Sequence, residues 1–209
     1  MRDRLEKKPV SIFRSFVLAD LITLANASCG MGTIFLCLNH VAGFHTPHLW
    51  IVFFLIPLSL VCDILDGFIA RRLVRHSSLG ADLDSLADIV SFGVAPAVLG
   101  FTLGLRGLWD SLILIYFVLC GISRLARFNV TAAVLSDGKG KVKYYEGTPI
   151  PTSIIIVLIL GIVFWQGHIG NFIPFGSYRI GLWILHPLTI LYAISGSMMI
   201  SSTIRIPKP

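Results

Sequence analysis

Four aspartates set the chemistry open to this chain. Asp63 and Asp66 stand three residues apart, and Asp84 and Asp88 stand four apart. Either spacing puts a pair on one face of a helix. Two helices meeting at those faces would gather four carboxylates, and carboxylates held that close repel one another. One divalent cation, or two, relieves the repulsion. An all-oxygen donor set suits Mg²⁺, Mn²⁺ or Ca²⁺ rather than zinc. Mg²⁺ is typically held by few carboxylates together with substrate phosphates, which points to a phosphate-bearing substrate.

The surroundings sharpen this reading. The chain has only 11 acidic residues, yet five of them (Asp63, Asp66, Asp82, Asp84 and Asp88) fall between positions 63 and 88. Two follow directly on the apolar run WIVFFLIPLSLVC. An Asp at membrane depth costs about 2.5–3.5 kcal/mol on insertion scales, so such a residue normally has a partner or a function. Gly67, Ala70 and Gly80 lie within a turn of these acids, and small residues let a helix or a ligand approach closely. Arg71 is spaced to meet a phosphate. The competing structural reading is a set of Asp–Arg pairs at a membrane rim.

The elements that must position these residues are membrane helices. Of 209 residues, 55% are hydrophobic and 13% charged, and the mean hydropathy is +0.83. A soluble domain of this length carries about twice that charged fraction. A span needs about 20 mostly apolar residues. Six are expected, at roughly 20–39, 49–71, 87–105, 109–130, 150–168 and 182–202. They form one catalytic domain over 20–209, preceded by a basic segment, 1–19, whose Ile12, Phe13, Phe16 and Val17 suit a short amphipathic interfacial helix. The opening MRDRLEKKPV is too charged for the apolar core of a cleavable signal.

Loop charge sets orientation. Fifteen of the 17 basic residues fall in the N-terminal segment, the second and fourth connections and the C-terminus; only Arg106 and Arg179 fall on the other side. The termini and the acidic motif are therefore expected to face the cytosol. The net charge of +6 is read as facing anionic lipid headgroups, and no nucleic-acid partner is expected. No open-strand pattern persists, and 131–148, with its DGKGK turn, is the one polar linker. The four cysteines and six histidines lack ligand spacing, and the four tryptophans suit interfacial belts.

The full string is Asp63-x2-Asp66-Gly67-x2-Ala70-Arg71-x8-Gly80-x3-Asp84-x3-Asp88. It resembles, position for position, the signature of the CDP-alcohol phosphotransferases. LADLITLANASCG, DSLADIVSFGVAPA, CGISRLARFNV, EGTPIPT and the closing IRIPKP resemble one branch, the CDP-diacylglycerol–serine O-phosphatidyltransferases (phosphatidylserine synthases), in their fungal form. The likeness runs from about residue 14 to the end.

That resemblance implies an all-α, six-helix membrane fold, usually a homodimer, in the endoplasmic reticulum. It implies a reaction in which the hydroxyl of L-serine takes the phosphatidyl group of CDP-diacylglycerol, giving phosphatidylserine and CMP. Asp63, Asp66 and Asp84 would ligate Mg²⁺ or Mn²⁺, with Asp88 near a second ion and acting as general base. Asp63, Gly67, Arg71 and Gly80 would meet the cytidine and its phosphates. Asn26 is either a base or ribose contact or an amide satisfied between helices. Arg124 is the expected partner of the serine carboxylate, with Arg127 and Phe128 beside it, although both arginines also fit as cytosolic anchors. Ser91 and Phe92, one turn past Asp88, would shape the serine pocket. Two other readings stay open. One is the same chemistry on inositol, glycerol 3-phosphate or choline. The other is a transporter whose aspartates bind cations, for which the expected internal repeats are missing.

Overall fold

The computed structural model describes residues 18–43, 49–72, 78–136, 144–170, 173–201 and 205–207. The expected amphipathic helix within 1–19 and the DGKGK turn fall almost wholly outside these residues. Seven α-helices carry the fold. They are α1 (Leu18–Val41), α2 (Leu49–Arg72), α3 (Ser78–Asp88), α4 (Ala95–Leu103), α5 (Leu108–Ser136), α6 (Ile154–Trp165) and α7 (Ile190–Ile200). One turn of 3₁₀-helix leads into each of α6 and α7, at Ile150–Ser153 and Pro187–Thr189.

Among the described residues, four segments are long and apolar enough to cross a bilayer: Ala19–Val41, Leu49–Ala70, Gly80–Leu103 and Leu108–Thr131. Two shorter apolar helices, Ile150–Trp165 and Pro187–Ile200, complete the set. The chain is a multi-pass, mostly helical membrane protein. Its outward surface carries the large apolar side chains a bilayer demands, among them Phe35, Phe54, Leu119 and Leu158, while Phe92, Phe117, Ile150 and Tyr192 are fully buried.

The third span departs from a plain helix. Residues Ile89–Val94 form a π-helical segment joining α3 to α4 without a break, and the Ala95 N–H donates to the Val90 carbonyl five residues back. Pro96 explains it. A proline ring inside an α-helix clashes with the carbonyl four residues earlier and leaves a bond unmade. Widening the preceding turn to the i−5 pattern removes that conflict. The helix starts at Ser78, well before the expected border at 87, because the polar surface of α3 is covered by α1 and α5 rather than by water alone.

Two short ribbons amend the all-α expectation. β1 (Tyr144–Glu146) pairs antiparallel with β4 (Arg205–Pro207), with Tyr145 opposite Ile206. β2 (Tyr178–Ile180) pairs with β3 (Trp183–Leu185), with Arg179 opposite Ile184. The second ribbon takes the opening of the expected sixth span. Hydropathy does not separate an apolar strand from an apolar helix. Gly181, at φ +66, makes the turn, and Pro187 then starts the helical stretch, where its missing N–H costs nothing.

Helix packing is tight where residues are small. A Cβ placed on Gly30 of α1 would stand 2.6 Å from Ser91 Oγ and 2.8 Å from Ser91 Cα in the π turn. Gly196 of α7 rests against the backbone of Phe117 in α5. The Tyr192 hydroxyl donates to the Pro96 carbonyl at 2.6 Å, and its ring meets Phe117 edge-on at 5.2 Å.

Candidate active site

The site is built where α1, α2 and α3 meet. Asp63 and Asp66 sit in the last turns of α2, and Asp84 and Asp88 in the last turns of α3. One carboxylate oxygen from each of Asp63, Asp66 and Asp84 lies within 4.8 Å of the other two. Asp88 stands next to this triad, within electrostatic reach of Asp63, Asp66 and Asp84. The fifth acid, Asp82, points elsewhere: it is exposed and in long contact (3.5 Å) with Asn129 of α5, which also accepts from Ser85.

Helix α1 holds two of these acids in place. The Thr23 hydroxyl donates to Asp66 Oδ2 at 2.6 Å. Asn26 Nδ2 donates to Asp88 Oδ1 at 3.3 Å, and the Asn26 carbonyl accepts from Ser91 Oγ at 2.9 Å. Asp20, one turn before Thr23, is buried and within electrostatic reach of Asp66. Asp20 and Thr23 escaped the sequence reading. The signal was available: Asp20, Thr23, Asn26, Gly30, Thr33 and Cys37 recur every three or four residues, and all are buried. That is one inward stripe of polar and small side chains on an otherwise apolar helix.

Donor chemistry tests whether this cluster fits a metal. Three carboxylates converge, and among the described side chains no cationic group is paired with them. Among the described residues, Asp84 Oδ1 is buried without a hydrogen-bond partner. An orphaned carboxylate oxygen is costly in a low-dielectric setting, and a hard divalent cation satisfies it directly. The residues fit such an ion.

The other expected site residues divide. Gly67 follows Asp66 on α2, and Gly80 lies one turn before Asp84 on α3. Arg71 is the last residue but one of α2, and its side chain is outside the described residues. Arg124 of α5 is half-buried, within electrostatic reach of Asp88, with its guanidinium 5.8 Å from the centre of the Phe128 ring. Arg127 is exposed, one helical step away. Ser91 is fully buried against α1, and Phe92 belongs to the apolar core. Asn26 is also fully buried and bridges α1 to α3 through Nδ2, while its Oδ1 has no hydrogen-bond partner among the described residues.

Membrane helices that present a carboxylate triad, with a fourth carboxylate and an arginine beside it, make a site whose donors suit a divalent cation and a phosphate-bearing ligand. The particular family follows from comparison. Residues 16–194 match the family model described as CDP-alcohol phosphatidyltransferase, and the chain belongs to that family. It is 43% identical over 202 residues, covering 95% of this chain and 73% of the relative, to a CDP-diacylglycerol–serine O-phosphatidyltransferase of Saccharomyces cerevisiae. Enzymes of the same name from Methanocaldococcus jannaschii and Bacillus subtilis are 35% and 32% identical, over 71% and 69% of this chain and 62% and 75% of their own lengths.

Proposed function

We propose that this chain transfers the phosphatidyl group of CDP-diacylglycerol to the hydroxyl of L-serine, releasing CMP and phosphatidylserine. The observation that carries the reading is the convergence of Asp63, Asp66 and Asp84 beside Asp88 in a chain similar across nearly its whole length to an enzyme of that name.

Asp63, Asp66 and Asp84 hold the divalent ions, Mg²⁺ or Mn²⁺. When bound, these supply Lewis-acid neutralisation of the pyrophosphate and of the leaving CMP. The chain's own residues do the rest. Asp88 accepts the proton of the serine hydroxyl as that oxygen bonds to the lipid-bearing phosphorus and the bond to CMP breaks, a role worth about 10²–10⁴-fold. Asn26 fixes one oxygen of Asp88 and leaves the other for the acceptor. Thr23 fixes one oxygen of Asp66 and leaves the other for the cation. Arg124, near Asp88 and braced by Phe128, holds the serine carboxylate. Gly67, Gly80 and Arg71 would contact the cytidine diphosphate, as the family signature implies.

In this reading all six apolar segments cross the bilayer, the acidic site and both termini face the cytosol, the membrane is that of the endoplasmic reticulum, and two copies assemble. The deciding experiment gives purified protein CDP-diacylglycerol with serine, inositol, glycerol 3-phosphate or choline, with and without Mg²⁺ or Mn²⁺. CMP release with serine and metal alone is expected. Release with another alcohol and none with serine overturns the acceptor assignment.

A further inference from the structure

We infer that the β2–β3 hairpin and the turn before it, residues 173–185, form a finger seated in the lipid interface of the leaflet opposite the acidic site. The inference rests on reading α6 and α7 as crossing the bilayer.

Helix lengths set the depth. Ile150–Trp165 and Pro187–Ile200 have one end in common: the Thr148 N–H, just before the first, donates to the Met198 carbonyl near the end of the second, at 3.2 Å. From that level the 3₁₀ turn and α6 rise about 26 Å, and the return through α7 spans about 22 Å. Both fall short of the hydrocarbon thickness of about 30 Å. With their shared end placed at the cytosolic boundary, both helices end inside the opposite one, so the residues joining them leave the helices at membrane depth. The hairpin packs at the start of α5, where Trp109 meets Trp183 edge-on at 5.3 Å and donates to the Ile180 carbonyl at 3.3 Å. Asn129, beside the acidic helix, lies twenty residues further along α5, about 30 Å away. The finger and the acidic site occupy opposite ends of the bundle.

The finger is made for lipid. Leu182 at its tip is 87% exposed and Phe175 is 77% exposed; Tyr178, Ile180, Trp183 and Ile184 are also exposed. Open backbone is not tolerated in the hydrocarbon core; the two strands pair along their facing edges, and their outer edges need the polar headgroup layer, which sets the finger at the interface. Arg179 is long enough to reach the headgroups from among apolar neighbours. Tyr and Trp are the residues favoured at this depth. Phe175 adopts φ +70, unusual for a side chain of its bulk, and turns out of the protein rather than into it.

The test measures depth in reconstituted bilayers. A nitroxide is placed at Leu182→Cys, and separately at Ile180→Cys, in protein whose four native cysteines are replaced. Collision with oxygen is expected to exceed collision with a water-soluble nickel complex several-fold at both sites. The reverse ratio overturns the inference. Strong dipolar broadening between labels overturns it too, because a second copy of the chain would then be the cover. Protein with its cysteines intact gives an independent reading: lipids brominated on the acyl chain should quench a fluorescence component that Trp183→Phe removes. Persistence of all quenching in that variant counts against the finger.

Discussion

Thr23 Oγ1 lies 2.6 Å from Asp66 Oδ2, so a hydroxyl from α1 orients a carboxylate of α2. The bond fixes which oxygen of Asp66 is left for the cation. Partners of this kind are worth about 10–100-fold in metal affinity when removed. Thr23→Val keeps the shape and deletes the donor. It should raise the Mn²⁺ concentration for half-maximal activity by about that factor, with a smaller change at saturating metal. Thr23→Ser should restore the original value. Chelation with EDTA should abolish turnover in every variant, and added Mg²⁺ or Mn²⁺ should return it.

Asp88 lies outside the triad of close oxygens and takes its hydrogen bond from Asn26. Asp88→Asn should cut CMP release with serine by at least about 10²-fold. Binding of CDP-diacylglycerol, followed by isothermal titration, should change far less. Asn26→Leu removes the orienting amide while Asp88 keeps its charge, so an intermediate loss is expected, in kcat rather than in KM for the lipid. Equal losses in both variants would mean that Asn26 supports the helix pair and not the base.

Much of this site was open to reading because its chemistry is local. Asp63 with Asp66, and Asp84 with Asp88, each share a helix face by spacing alone, and only the meeting of the two faces required the fold. Asp20 and Thr23 required more. A single Thr in an apolar helix has many explanations, and its value appears only when α1 packs against α2. Ser91 and Phe92 lie in the π-helical segment Ile89–Val94, so the direction of their side chains, both buried, does not follow from counting regular helical turns. The hairpin was hidden for a different reason: GLWILHP has the hydropathy of a span, and only the Gly181 turn and Pro187 divide strand from helix.

Gly30 and Ser91 are the contact that joins α1 to the π turn. The nearest atoms to an added Cβ include Ser91 Cα at 2.8 Å and its backbone nitrogen at 3.0 Å, so a rotamer change cannot make room. Gly30→Ala should destabilise the protein by about 1–3 kcal/mol, in the range of overpacked cores. The shift separates α1 from Asp88, so activity measured well below the melting temperature should also fall. Gly43, with open space around it, is a poor control because its φ is +80. Gly32→Ala, where the added Cβ would meet only Leu55 at 3.4 Å, should leave activity unchanged.

Asp110 ties the far end of the bundle together. Its carboxylate is fully buried and accepts from the Gly107 N–H at 2.8 Å, the His186 N–H at 2.8 Å and the Thr189 hydroxyl at 2.7 Å, and it pairs with His186 Nδ1 at 2.6 Å. Four partners on one carboxylate join the start of α5 to the turn that begins α7. Asp110→Asn keeps one acceptor and sets an NH₂ against donors. Hydrogen bonds to charged groups are each worth about 1.5–3 kcal/mol, so a loss of about 3 kcal/mol is expected, read as a lower melting temperature in detergent. The acidic triad lies at the opposite end of the bundle, so kcat and the metal requirement measured at low temperature should match the parent protein. If kcat fell while the melting temperature held, Asp110 would belong to the catalytic machinery, and the clasp would not be its role.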